Sequence, residues 1–519
     1  MMDPRFGMPQ AEAAGITLAE ARELALRNNK EIAVLGYTPQ VVATNIDAEC
    51  GVFDPVIGMR TGGGIYNRQV STLIQSQGAL VPVLKQDFFG GLADEGPNQF
   101  FVGQRLGSGG RYELGMGSNY LNYNPQGDFV FINPAWNSTT NLIIEQPLFR
   151  GAGRRVNRAP VQIARANETQ STFAFRSSVS VVLRDVEAAY WNVYAAYRDL
   201  EAREKAVDQA SVTLDRERER LRVGEGSVPD VSQAEEQFET YQIARADALN
   251  RVVTAERVLR QLIGLPIDDR RPLRPITEPV VEVAEVSWDE GLAGSQQRPE
   301  LAAQRAAIEA AQIDYARMQN GLAPDVALRF NHSMSGLSNR WGASLQTLGT
   351  GAFNDVTAGV VYRQALGRRV DQANARRAAL TVSREIARYR EIEHVIMHEL
   401  EGAYQDVLAR QQLLEMHRRR REAARIQLEA RKALYNERRA TLLEQLDAES
   451  RFASAILDEG LAVVAYQHAL VRWNFARGAT LGDAVVFVEE PPPPEVRPWL
   501  HLPHGIMPSA PLPAPTFVN

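Results

Sequence analysis

From Val179 onward, Val182, Val186, Ala189, Val193, Ala196, Leu200, Val207, Ala210, Leu214 and Leu221 recur at spacings built from three and four, and only Arg203 and Glu217 interrupt the stripe. That period is the seam of a helix packed lengthwise on another helix. No strong breaker stands between about Arg154 and Val223, so the helix would run roughly 100 Å at 1.5 Å per residue. Ordinary globular helices average about 11–12 residues. A rod of this length cannot wrap a compact core, and it must belong to a coiled coil, a bundle or the wall of a tube.

The rod turns back on itself. Gly224-Glu225-Gly226-Ser227-Val228-Pro229 is an abrupt stop and restart: the glycines end one helix, Ser227 suits an N-cap, and Pro229 suits an early helical position. Val228, Val231, Phe238, Tyr241, Ala248, Val252, Ala255, Leu259 and Leu262 then continue a similar stripe.

The chain also contains itself twice. Gly153-Arg154-Arg155-Val156 recurs 214 positions later as Gly367-Arg368-Arg369-Val370, and the same offset carries Tyr190 to Tyr404, Leu214 to Leu428, Phe238 to Phe452 and Gly264 to Gly478. Upstream, Pro55 answers to Pro324 at an offset of 269, so the first half holds 55 extra residues between Pro55 and Gly153. Each half reads as helix, Pro-marked break, glycine-rich insert, very long helix, short turn, long helix.

The inserts have another texture. Val56–Arg68, Phe100–Leu106, Arg111–Tyr120 and Asn141–Leu148 in the first half, with Val326–His332 and Val356–Tyr362 in the second, are aromatic, polar and partly alternating. Alternating segments of about ten residues are the signature of a transmembrane β-barrel. No run approaches the roughly 20 apolar residues of a spanning helix, so any membrane crossing must be made by strands. So few strands cannot close a barrel alone, since single-chain barrels have about eight or more. The inserts and the rods both call for a symmetric oligomer.

Composition narrows the classes further. The 519 residues carry 57 basic and 63 acidic side chains, a formal charge of −6, which gives no electrostatic reason for a nucleic-acid partner. One cysteine, Cys50, excludes an intrachain disulfide and a cysteine-held zinc. The start, Met1-Met2-Asp3-Pro4-Arg5, lacks the basic-then-apolar signature of a secretory signal.

In this order of elements the chain resembles the TolC family of outer-membrane factors, from Ile16 to about Asp483. The resemblance is carried by Leu18-Ala19-Glu20-Ala21 with Ala25-Leu26-Arg27-Asn28-Asn29 at the front and Glu145-Gln146-Pro147-Leu148-Phe149-Arg150-Gly151 before the first long helix. Arg298-Pro299-Glu300-Leu301 opens the second half, and the tip motif reads Arg222 to Val231. It implies a mainly α protein with a β-barrel part: two repeats of long helical hairpins forming an α-barrel tunnel, and four strands per subunit given to a trimeric 12-stranded transmembrane β-barrel. The implied segments are 1–15 (N-terminal), 16–54 (first short helices), 55–150 (first strands with the insertion) and 151–265 (first long hairpin). After a linker at 266–285 come 286–323 (second short helices), 324–366 (second strands), 367–478 (second long hairpin) and the Pro-rich tail 479–519.

By the same resemblance the protein is a homotrimer in outer-membrane lipid with a periplasmic extension. It receives cargo through a periplasmic adaptor (membrane fusion) protein from an inner-membrane RND, ABC or MFS transporter, in efflux or type I secretion. It is not an enzyme and needs no cofactor. Tyr435 would carry a gating contact, and Glu444 and Asp447 would form acidic rings that favour cations at the constriction. Gly224, Gly226, Ser227 and Asp230, with Arg438 and Arg439 of the second tip, would meet the adaptor. Two residues depart from the family pattern: Arg438 replaces the expected turn glycine, and Glu444 stands where aspartate is usual.

His394 and His398, four apart on a helix, could share a metal, but the pattern is not His-Glu-x-x-His and no third ligand stands out. Arg418–Arg421 is a basic run with acidic flanks, which reads as a solvated helix face. Gly62–Gly64 and Gly107–Gly110 are followed by no Gly-Lys-Ser/Thr and cradle no phosphate. The competing reading of the whole chain is a soluble coiled-coil scaffold.

Overall fold

A computed structural model describes residues 2–3, 8–9, 14–90, 99–124, 126–266, 271–280, 285–437 and 439–482. The Pro-rich tail from 483 and Arg438 lie outside the described residues. Two short strands, β1 (Met2–Asp3) and β2 (Met8–Pro9), pair with each other, and β3 (Ala14–Ile16) precedes α1 (Leu18–Asn28) and α2 (Lys30–Gly51). The first insert supplies β4 (Val56–Met59), β5 (Gly62–Gln69), β6 (Val83–Gly90), β7 (Phe100–Arg105), β8 (Arg111–Tyr123) and β9 (Ala135–Pro147). After the single turn α3 (Arg154–Asn157) come α4 (Ala159–Arg222) and α5 (Val228–Leu262), then β10 (Leu273–Pro275), α6 (Trp288–Ser295) and α7 (Pro299–Asn320). The second insert is β11 (Asp325–Ser338), α8 (Trp341–Gly349) and β12 (Asn354–Arg363), leading into α9 (Arg369–Asn436) and α10 (Leu442–Ala476).

The helix starts follow from their caps. Thr17 and Glu20 form a capping box on α1, and Asn29 caps α2 through the amide of Ile32. α4 runs 64 residues and α9 runs 68, each followed by a 35-residue partner laid against it. Neither long helix is apolar enough to enter lipid as a span.

A buried cluster forms where the short elements meet the rods. Leu400, Ala403, Val407 and Leu414 of α9 close on Tyr466, Ala469, Trp473 and Ala476 of α10, with Trp288 of α6 against Tyr404. β3 and β10 pair in parallel beside them. Tyr190, fully buried on α4, donates to the Ile16 carbonyl and accepts from the Thr277 amide, both at 3.0 Å, so one phenol fixes β3 and the segment just after β10 to the rod. Arg22 reaches Glu187 at 3.0 Å; burial raises the Glu187 carboxyl above its ordinary range and Arg22 opposes that rise.

The strands of the two inserts form one antiparallel sheet in chain order. β7 and β6 lie end to end along β8, pairing with residues 111–116 and 120–123 respectively, and β4 and β5 lie end to end along β7 and β6. The sheet therefore has six lanes: β4–β5, β6–β7, β8, β9, β11 and β12. Here the structure departs from the expected four strands per subunit. The added length between Pro55 and Gly153 includes paired strands as well as the turns at 70–82, and those strands account for the difference. A second departure is α8, a nine-residue helix between β11 and β12 that lies on β9 and β11, with the Ser344 hydroxyl 2.8 Å from that of Ser138.

Candidate functional site

Each hairpin ends in a turn whose chemistry is set by a few residues. In the first, Gly224 adopts φ +78°, and the amides of Glu225 and Gly226 both return to the Arg220 carbonyl at 2.9 and 3.0 Å, which closes the last turn of α4. A side chain at Gly226 would put its Cβ 2.8 Å from the Leu221 amide nitrogen, too close for that turn to survive. Ser227 then caps α5: its hydroxyl accepts from the Asp230 amide at 3.3 Å and donates to the Asp230 carboxylate at 2.6 Å. Gly224, Gly226, Ser227 and Asp230 thus occupy one turn.

The second turn is built differently. Arg439 donates its amide to the Leu434 carbonyl at 2.9 Å and pairs with Glu437 at 3.4 Å. Thr441 and Glu444 form a capping box at the start of α10, with the Glu444 carboxylate 3.2 Å from the Thr441 amide and 3.6 Å from Arg431. Asp447 is held by Arg451 at 2.9 Å. Both carboxylates are about half exposed. Glu444 is therefore a helix cap as well as a surface charge.

Tyr435, at the end of α9, joins the two hairpins. Its hydroxyl donates to Glu217 of α4 at 2.8 Å and accepts from Arg220, whose guanidinium also pairs with Glu217 at 3.0 Å. Arg220 further reaches the Glu225 carbonyl of the first turn at 3.4 Å. Glu217 is fully buried, 0% exposed. Partial burial and the neighbouring carboxylate push the Tyr435 phenol up to about 12. Glu217 and Arg220 had not been singled out from sequence as site residues. The available signal was Glu217 itself, a carboxylate at a register where the α4 stripe demands an apolar side chain. Glu444 and Asp447 pair instead with Arg431 and Arg451.

The sheet presents two unlike faces. Arg111, Glu145 and Arg329 face one another across β8, β9 and β11, with Arg111 to Glu145 at 2.7 Å and Arg329 to Glu145 at 3.3 Å; Arg60, between β4 and β5, reaches Glu113 of β8 at 3.3 Å. The other face is mostly apolar. The pairing register aligns Ile57, Val102, Leu114, Leu142, His332 and Val356 in one row across all six lanes. Ile57 is 83% exposed and Val360, four residues beyond Val356 on β12, is 65% exposed. The row is apolar except for His332, and α8 covers the same face farther along at Ser138; exposed apolar side chains such as those of its outer lanes mark a face that meets lipid or another protein.

The His394 and His398 rings meet edge to face with centroids 4.4 Å apart, and no set of three potential ligands gathers among the described residues.

Residues 112–265 match the family model described as outer membrane efflux protein. No curated protein sequence matches the chain. Solved structures do resemble it. The outer-membrane channel OprN is 16% identical, with 89% of this chain and 90% of that chain covered and a TM-score of 0.63. The outer membrane protein VceC of Vibrio cholerae is 16% identical, covering 89% and 96%, with a TM-score of 0.61. The open state of the MtrE outer membrane channel of Neisseria gonorrhoeae is 14% identical, covering 89% and 89%, with a TM-score of 0.61. Residues 112–265 of this chain thus match the outer membrane efflux protein model, and the chain shares the fold of these outer-membrane channels.

Proposed function

We propose that the chain is one subunit of a passive outer-membrane channel, a homotrimer that conducts cargo from a periplasmic adaptor and an inner-membrane pump to the exterior. The observation that carries this reading is the six-lane sheet with one mostly apolar face and, among the described residues, unpaired outer edges on β12 and β4–β5, set at one end of helices too long to enclose a core of their own. Strands that close with copies of themselves satisfy every backbone group in lipid, whereas an open sheet does not. On α2, Val34, Tyr37 and Val41 form an exposed stripe at helical spacing, which supports a neighbouring copy packed against the outside of each subunit.

In this reading the two halves are repeats with the boundaries given above, and their four long helices form one third of a tunnel wall. The channel performs no chemistry; it holds a path open and restricts what enters. Tyr435, Glu217 and Arg220 tie the end of α9 to α4 and to the first turn, so they act as a latch on the periplasmic end. Breaking it frees the second hairpin to swing outward. Glu444 and Asp447 line the constriction once three copies assemble, and the Gly224–Asp230 turn, with Arg438 and Arg439, meets the adaptor.

Fractionation tests the assignment. The full chain, expressed with an export signal in a Gram-negative host, is expected in the outer membrane as a trimer that resists heat and detergent, with a trimer mass in native mass spectrometry. A soluble dimer with no membrane association would replace the channel by the coiled-coil scaffold.

A further inference from the structure

We infer that the 55 additional residues of the first half widen the shared barrel: each copy supplies six lanes instead of four, and three copies close a ring of eighteen through β12 of one copy and β4–β5 of the next. The inference rests on the channel reading above and concerns what the channel wall is made of.

Parity supplies the first argument. The chain enters the sheet from α2 and leaves it into α4, and both lie at the same end, since the β7–β8 turn touches the start of the rod through Arg105 and Asn157 at 3.2 Å. An insertion that preserves entry and exit must add an even number of antiparallel lanes. The sheet holds one such extra pair, and its lanes run alternately up and down in chain order.

The side chains supply the second. Were the added lanes a plug or a surface flap, the apolar face would stop at their border. It does not: Ile57 and Val102 stand level with Leu114, Leu142 and Val356. Above that row Phe89 of β6 pairs with Tyr120, which pairs with Trp136, so an aromatic level also crosses from the added lanes into the rest. Tyr112 and Tyr120 share a face eight residues apart, about 27 Å along the strand, or roughly 21 Å through a membrane at a tilt near 40°. That approximates the ~25 Å height between the aromatic borders of outer-membrane barrels, although within it Ser118 and Ser138 bond to α8.

The edges supply the third. Among the described residues β12 pairs only with β11, and β4–β5 pair only with β7 and β6. These edge lanes run in opposite directions, so β12 of one copy meets β4–β5 of the next in the antiparallel sense of every other pair, and a rotation that repeats this contact closes a ring. Size agrees. With strands ~4.8 Å apart and tilted near 40°, twelve lanes enclose a radius of about 12 Å and eighteen about 18 Å. Twelve helices spaced about 10 Å apart enclose roughly 19 Å. The wider barrel continues the helical tube with little taper.

Electron cryomicroscopy of the full-length trimer in lipid nanodiscs counts the lanes directly. Eighteen are expected. A ring of twelve with any of β4 to β8 lying outside it overturns the inference while leaving a channel, whereas particles with no ring overturn both. Cysteine pairing gives an independent check in a Cys50→Ser background. Val360→Cys combined in turn with Val56→Cys, Ile57→Cys and Met59→Cys is expected to yield covalent dimers and trimers on oxidation for at least one pair. No cross-linking from any of the three in assembled trimers would contradict the closing edge.

Discussion

Tyr435 and Glu217 stand 218 positions apart in the chain, yet the phenol donates a 2.8 Å hydrogen bond to a carboxylate that has no exposure to water. Arg220 completes the set by pairing with both. A buried carboxylate between a phenol and a guanidinium is costly to leave half-satisfied.

Tyr435→Phe removes the phenol hydrogen bond and leaves Glu217 with Arg220 alone. We expect a loss of about 1–3 kcal/mol in the contact between hairpins, seen as more frequent and longer open events in single-channel records. Unchanged open probability would show that the contact does not hold the tip. The pH dependence has a defined sign. Because the phenol is pushed up to about 12, its contribution is fully present below the ordinary phenol range near pH 10 and lost as pH rises through about 12. Wild type should lose thermal stability across that window by more than Tyr435→Phe does.

At the first turn, Gly224→Pro, or bulky residues at both Gly224 and Gly226, should reduce efflux with trimers still formed, because the strain is confined to an exposed tip. Gly224→Ala at φ +78° costs about 1 kcal/mol locally. Wild-type transport with a correctly assembled pump would remove the turn from the docking surface.

Neutralising the second tip needs a substitution that keeps the helix start. Glu444→Gln retains the capping box with Thr441, so Glu444→Gln with Asp447→Asn changes charge without unwinding α10. The pair should weaken cation preference, read as a reversal potential moving toward zero under a salt gradient. An unmoved reversal potential would place both carboxylates off the conduction path.

Arg298 is 6% exposed and bridges Glu300 at 2.9 Å and Glu399 at 2.8 Å, with its guanidinium 4.9 Å from the Phe475 ring centre. Arg298→Met removes the charged partner of a half-exposed Glu399 and of Glu300, which keeps Ser177 at 2.9 Å, and should cost about 1–2 kcal/mol, lowering the temperature at which the subunit unfolds. Arg298→Lys should restore only part of that loss, since a point charge cannot fork between two partners. A melting temperature within error of wild type for Arg298→Met would show that the bridge carries no stability.

The rods were legible because their signals are local: the α4 stripe and Gly224–Pro229 lie within a few turns of one another. Strands with visible alternation, such as Arg111–Tyr120 and Val356–Tyr362, were legible for the same reason. Val83–Gly90 was not, since Val-Leu-Lys-Gln-Asp-Phe-Phe-Gly has no period of two and becomes a strand only by pairing with β5 and β8. The α8 helix escaped notice because it is short and flanked by strands. Of the tip residues, Ser227 and Asp230 follow from capping rules. The Tyr435–Glu217 contact could not, because nothing local in either segment specifies a partner two hundred residues away.

Planar-bilayer recording of the purified trimer tests the conduit most directly. Discrete conductance steps are expected after insertion, more persistently open in Tyr435→Phe than in wild type. Trimers that insert in bilayers yet pass no ionic current, in wild type and in the latch variant alike, would contradict the conduit.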